Sequence, residues 1–138
     1  CGAPNRPADG GFVLACSSAS CARRAFPRLD PAIIVLVHHD QHCLLGRQAS
    51  WPAQRFSTIA GFVEPGEALE DAVRREVAEE TGIGLAHCHY MGSQPWPFPA
   101  SLMIGFHAAA ATADITPVKR RLPQCIRASC LVILRDGL

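Results

Sequence analysis

Apolar and polar positions change period several times along this chain, and each change marks an element. Ala32 to His38 reads AIIVLVH, β-branched and apolar almost throughout, which fits a strand buried on both faces. A polar His39-Asp40-Gln41 turn separates it from a second strand, His42 to Arg47. Trp51-Pro52 marks a loop, and Phe56 to Val63 carries one or two further strands. From Glu67 to Thr81 the period becomes helical. Leu69, Ala72 and Val73 fall on one side, and Glu70, Asp71 and Arg74 on the other. Strands resume at Ala86 to Met91 and at Leu102 to Ala109. Strands flanking a helix in mixed order, without regular βαβ repeats, predict an α/β domain.

The helix carries an anomaly. Glu76, Glu79 and Glu80 stand at i, i+3 and i+4, so their carboxylates project from one side. That side overlaps the apolar stripe, where charge is costly unless something compensates it, and a divalent cation is the natural compensator. A plain solvated face would instead keep the three glutamates clear of the stripe. Around them, Gly61 precedes the helix, Glu67 lies near its start, Arg75 sits four residues before Glu79 as a pairing partner, and Gly82 suits a left-handed helix stop.

Written as spacing, this is G-x5-E-x7-R-E-V-x-E-E-x-G-I from Gly61 to Ile83. The pattern is that of the Nudix box, and the chain resembles Nudix hydrolases, which cleave a nucleoside diphosphate linked to another group. The resemblance implies an α/β/α sandwich with a mixed sheet, and magnesium or manganese bound by the loop–helix–loop. It makes Glu76 and Glu80 metal ligands, helped by the backbone carbonyl of Ala60. Glu79 becomes a further ligand or a partner of the attacking water. Arg75 is expected to orient a glutamate, and Glu67 to fix the loop.

A second motif follows. Ser93 to Ser101 reads SQPWPFPAS, in which three prolines alternate with Trp96 and Phe98 and favour a stiff, extended path. Aromatic rings held this way can stack on flat heterocycles, or else close over the core of the protein. Placed after the box, SQPWPFP followed by S-L-M is similar to the signature of the NADH pyrophosphatase branch of the family. That likeness implies NAD(H) as substrate, split into nicotinamide mononucleotide and AMP, and removal of NAD caps from RNA. It implies substrate contacts at Gln94, Pro95, Trp96, Pro97, Phe98, Pro99, Ala100 and Ser101. A homodimer is implied as well, with Trp96 acting across its interface. Two readings of Phe26 stand side by side: contact with a substrate ring, as in relatives, or buried packing.

The cysteines divide into two sets. Cys1, Cys16 and Cys21 fit part of a four-cysteine zinc ribbon of the kind that precedes the catalytic domain in this branch. The fourth ligand is expected just before residue 1. Three ordinary thiols are the alternative. Cys43, Cys88, Cys125 and Cys130 show no ligand spacing, and the first two are expected to pack as small apolar groups. Seven cysteines, an odd number, argue against a disulfide framework and for a reducing compartment, the cytoplasm.

Composition removes other classes. With 49% apolar residues, 18% charged and a net charge of +1, the chain has no overall footprint for nucleic acid or an anionic membrane. The longest apolar run is far too short to span a bilayer. Six histidines are scattered; His87 and His89 can share one face of a strand, but a metal site there needs a third ligand. The organisation expected is a partial zinc ribbon over residues 1–30, a Nudix domain over 31–117, and an atypical basic tail over 118–138. In the resemblance, that tail replaces a closing strand and helix and a further metal-binding glutamate; Asp136 is its one carboxylate. A shifted reading frame or truncated gene model, or a divergent tail, would account for it. Alternatives to the NAD(H) hydrolase are a broad nucleoside-diphosphate hydrolase, a catalytically impaired nucleotide-binding module, and a zinc-ribbon nucleic-acid binder.

Overall fold

The apolar run after Pro31 becomes the central strand of a mixed sheet. In the structure, a computed structural model, residues 1–112, residue 114 and the backbone of residues 124–129 are described. Strand β4 (Asp30–His39) lies parallel to β8 (Ser101–Ala110) along one edge. Its other edge pairs antiparallel with β6 (Ile59–Phe62) and, through the hairpin at His39–His42, with β5 (His42–Arg47). Strand β7 (Leu85–Trp96) adds antiparallel to β8, giving the order β7-β8-β4-β5, with β6 paired to β4 beside this path. Strand β9 (Gln124–Ser129) pairs with β5, so the segment set apart as a basic tail contributes a strand to the sheet. Cys130, Asp136 and the remainder of that segment lie outside the described residues, as does the side chain of Cys125.

Helix α1 (Leu69–Thr81) lies on one face of the sheet. Its Ala72, Val73 and Val77 pack with Ile33, Val35, Val37, Ile59, Ile104, Phe106 and Ala108. Each large aliphatic side chain fully buried here contributes about 1.5–3 kcal/mol. The helix ends as its sequence predicts: Gly82 adopts φ 72°, a left-handed value costly for residues with a Cβ, and its N–H donates to the Ala78 carbonyl at 2.9 Å. It begins at Leu69, two residues later than expected, because Ala68 at the N-cap is extended and has no capping side chain. Among the described residues the layering is helix on sheet.

At the amino end, β1 (Asn5–Ala8), β2 (Val13–Cys16) and β3 (Arg24–Ala25) form a separate three-stranded antiparallel sheet, with an Arg24–Asp9 ion pair beside it. No helix among the described residues is long and apolar enough to cross a membrane.

Two expectations change. The central strand was expected to be buried on both faces, yet Ile33, Val35 and Val37 are fully buried while Ile34 and Leu36, facing away from α1, are half-buried. The strand expected to stop at Met91 runs on to Trp96, with Gln94 opposite Met103, Pro95 opposite Leu102 and Trp96 opposite Ser101. Pro95 is tolerated because β7 lies at the end of the strand order, where a missing N–H leaves no inner ladder bond unmade. Ile33→Ala should cost about 2–5 kcal/mol in urea denaturation, and Ile34→Ala markedly less; equal costs would contradict the assignment of faces.

Candidate active site

The chain between β6 and α1 is folded back onto the helix by one cation. Arg75 donates from Nε to Glu67 Oε1 at 2.7 Å, and from Nη2 to Glu67 Oε2 at 3.0 Å and to the Phe62 carbonyl at 2.9 Å. Its Nη1 donates to Glu76 Oε1 at 2.8 Å, while the expected i,i+4 partner Glu79 is its longest contact at 3.5 Å. The planar guanidinium can serve several acceptors at once because its donors are fixed in a fork. Glu67 in turn accepts the backbone N–H of Glu64 at 3.0 Å, closing the loop over the helix start. The Arg75 hydrogen bond, and then the Glu64 N–H, hold the Glu67 carboxyl below the ordinary carboxylate range. Glu67 first and Glu76 second raise the affinity of Arg75 for its proton.

Glu76 is the buried member of the acidic trio, at 5% exposure, whereas Glu79 is exposed and Glu80 half-buried. The stripe overlap inferred from spacing therefore applies fully to one residue, and the other two line the rim. Burial of Glu76 depends on Gly61. A Cβ at that position would lie 2.0 Å from Glu76 Cδ and 2.1 Å from Oε1, so only glycine leaves room for the carboxylate against β6. Ala60, whose carbonyl is the remaining candidate ligand, is the neighbouring residue of β6.

The donors suit a hard cation: carboxylate oxygens and a carbonyl, on a glycine cradle that a methyl group would fill. They are spread along one and a half turns of helix. Among the described residues, the acidic trio is not gathered as tightly as Cys1, Cys16 and Cys21, whose sulfurs lie within 4.8 Å of one another. A spread set matches an ion that retains waters and takes oxygens from a phosphate substrate. The cysteine set is different in kind. Cys1 Sγ and Cys16 Sγ are 3.5 Å apart at the edge of the small sheet, in a hollow also lined by Cys21, Asn5 and Arg23. Tetrahedral zinc thiolates bonded at about 2.3 Å place their sulfurs about 3.8 Å apart, so this donor set fits zinc. Cys43 is buried and Cys88 packs against the core, as expected of small apolar groups.

The proline–aromatic segment does not close over the core. Trp96 is 46% exposed and Phe98 74%, and their rings meet edge to face with centroids 5.7 Å apart at the tip of the β7–β8 hairpin. Gln94, Pro95, Pro97 and Pro99 are exposed, Ala100 is half-buried and Ser101 is buried. Phe26 is 74% exposed, so buried packing is not its role. Register places the hairpin tip at the glutamate end of the sheet: Asp30 lies opposite Ser101, and two residues further along β4 Ala32 pairs with Phe62, at the start of the loop that Arg75 holds. Phe62, 61% exposed, enters the arrangement through its backbone carbonyl, which accepts from Arg75, a contact between loop and helix that spacing along the chain does not reveal.

The Glu67–Arg75 pair gives a pH dependence. A carboxyl whose folded affinity for protons is lowered contributes stability in full above its ordinary value of 4.5 and loses it as pH falls below that value. The stability gap between the parent and Glu67→Gln should be full near neutrality and close below pH 4.5, as followed by thermal melts from neutral to acid; a gap that widens on acidification would contradict the pairing.

Comparison with known proteins agrees with this architecture. The NUDIX domain model matches residues 28–125. NAD-capped RNA hydrolase NUDT12 of Homo sapiens is 42% identical over 130 residues, covering 88% of this chain and 28% of that protein. NAD-capped RNA hydrolase NudC of Mycobacterium bovis is 50% identical over 108 residues, covering 78% of this chain and 34% of that protein. The chain thus spans about a third of the length of these curated relatives. Among solved structures, a NUDIX hydrolase from Nitrosomonas europaea superposes with a TM-score of 0.68 at 17% identity, covering 92% of this chain and 72% of that one. The NUDIX domain of Shewanella oneidensis NrtR, complexed with ADP ribose, gives 0.65 at 16% identity, covering 82% and 80%. The family model covers most of the chain and the relatives are 42% and 50% identical, so the chain belongs to the NUDIX family.

Proposed function

We propose that this chain is the catalytic part of an enzyme that hydrolyses the pyrophosphate of NAD(H), releasing nicotinamide mononucleotide and AMP, and that accepts the same linkage at the 5′ end of NAD-capped RNA. The observation that carries the reading is the buried Glu76 under Gly61, with Glu79 and Glu80 on the next turn and exposed Trp96 and Phe98 at the same end of the sheet. The relatives named NAD-capped RNA hydrolases support the choice of substrate.

In this reading Glu76, Glu80 and the Ala60 carbonyl would hold magnesium or manganese, with Glu79 as a further ligand or as the partner of the attacking water. When bound, such ions neutralise phosphate charge and activate water. Arg75 keeps the Glu76 carboxylate fixed and the loop shut. Trp96 and Phe98, rigid because prolines flank them, offer faces to the flat rings of the dinucleotide at small entropic cost. Gln94 supplies an exposed amide for hydrogen bonding. Zinc on Cys1, Cys16 and Cys21 would stabilise the small sheet. A homodimer, with Trp96 reaching the partner's site, is part of the same proposal.

The test is AMP release from NADH, ADP-ribose and nucleotide sugars with magnesium or manganese. NADH should be turned over best; equal turnover on all three would favour a broad nucleoside-diphosphate hydrolase, and tight binding without AMP would favour a nucleotide-binding module. Glu79→Gln should lower kcat by about a hundredfold or more. Trp96→Ala should raise KM for NADH about tenfold, the equivalent of about 1.4 kcal/mol of lost stacking. Gly61→Ala should lower activity by displacing the Glu76 carboxylate, while circular dichroism keeps the sheet and helix signal.

A further inference from the structure

The sheet face turned away from α1 gathers histidines from three adjacent strands. His87 and His89 of β7 are two residues apart and therefore share a face. Cys88 between them packs against the core under α1, which turns both histidines to the opposite face. On β8, His107 alternates with buried Phe106 and Ala108, so it also faces away from α1, and it lies directly opposite His89 in the antiparallel register. Directly opposed residues have Cβ atoms about 4.5–5.5 Å apart. From β4, His38 stacks flat on His107 with ring centroids 4.4 Å apart and planes 10° from parallel. The rings of His87 and His89 are 5.2 Å apart.

Local backbone geometry sets this short segment apart. Register shifts occur between Leu85 and His87 and again between Tyr90 and Gly92, so irregularities bracket the histidine pair on both sides. Such bulges re-aim side chains and are frequent beside functional sites. Among the described residues, none of the four imidazoles makes a hydrogen bond to a protein group, so their nitrogens are not committed elsewhere.

We propose that His87, His89 and His107 form a second metal site, separate from the acidic trio and from the cysteines, that takes a borderline divalent transition metal such as zinc. A histidine pair at i,i+2 on one strand, with a third directly opposite on its antiparallel neighbour, can supply three imidazole nitrogens to one ion and leave the fourth position to water or substrate. In this structure the nitrogens are not gathered as closely as the cysteine sulfurs. His87 and His89 are exposed, so the proposed site requires rotation about their side-chain bonds toward His107, for which solvent leaves room. His38 is a positioning residue, because its stacked ring holds the plane of His107 while leaving the ring-edge nitrogens accessible.

The imidazole carbon-bound protons, followed by NMR during a zinc titration of the full chain at pH 7.5, report on this site independently of thiolate and carboxylate binding. The expected result is that the His87, His89 and His107 signals move together in one saturable step that protons reverse at pH 5.5. His89→Gln should weaken that step about tenfold or more for the two remaining histidines, in keeping with loss of one of three ligands. His107→Gln should do the same, and exposed His89 keeps the test usable if the half-buried His107 variant does not fold. Signals that do not move overturn the proposal, as do remaining histidines that bind with unchanged affinity after His89→Gln.

Discussion

The buried carboxylate of Glu76 is the constraint around which the rest of the site is arranged. A charged group at 5% exposure is tolerable only with a charged partner or a cation beside it. Arg75 supplies the partner, and because its donors form a rigid fork it simultaneously holds Glu67 and the Phe62 carbonyl. One guanidinium thus fixes the end of β6, the loop and the helix relative to one another. Gly61 completes the arrangement by subtraction, since any side chain there would occupy the space of the carboxylate.

That constraint also explains why the glutamates are unequal. Three carboxylates at i, i+3 and i+4 look equivalent on a helical projection, but the buried positions of α1 are Ala72, Val73, Glu76, Val77 and Thr81, and of the three glutamates only Glu76 is among them. Glu76 meets Gly61 of β6, whereas Glu79 and Glu80 lie a turn nearer the helix end and line the rim. The gradation from buried to exposed suits a site that must hold ions firmly on one side and admit a phosphate on the other.

The helix, its left-handed stop, the central strand and the existence of strands on either side of the box were legible because each is fixed by local periodicity or by one conformationally special residue, such as Gly82. The carboxylate trio was legible for the same reason, being set by helical spacing alone. Arg75 was legible as a partner but not in its preference for Glu67 over Glu79, because that contact crosses from helix to loop. The length of β7 was not legible: Pro95 argues against a strand unless the strand lies at the sheet end, and edge position is a property of the assembled sheet. The exposed aromatics were equally undecided, since nothing local to Trp96 or Phe26 says whether a core lies within reach.

The amino-acid sequence by itself determined the carboxylate pattern and its family, since the spacing from Gly61 to Ile83 is set by a single helix and its flanking loop. Tertiary structure alone decided that the hairpin tip and the glutamate loop share one end of the sheet, through the pairing of β4 with β8 on one edge and β6 on the other. It alone brought His107 opposite His89 and His38 onto His107. Those residues are far apart in the chain, and only the register of three strands, fixed by burial of one face under α1, makes them neighbours.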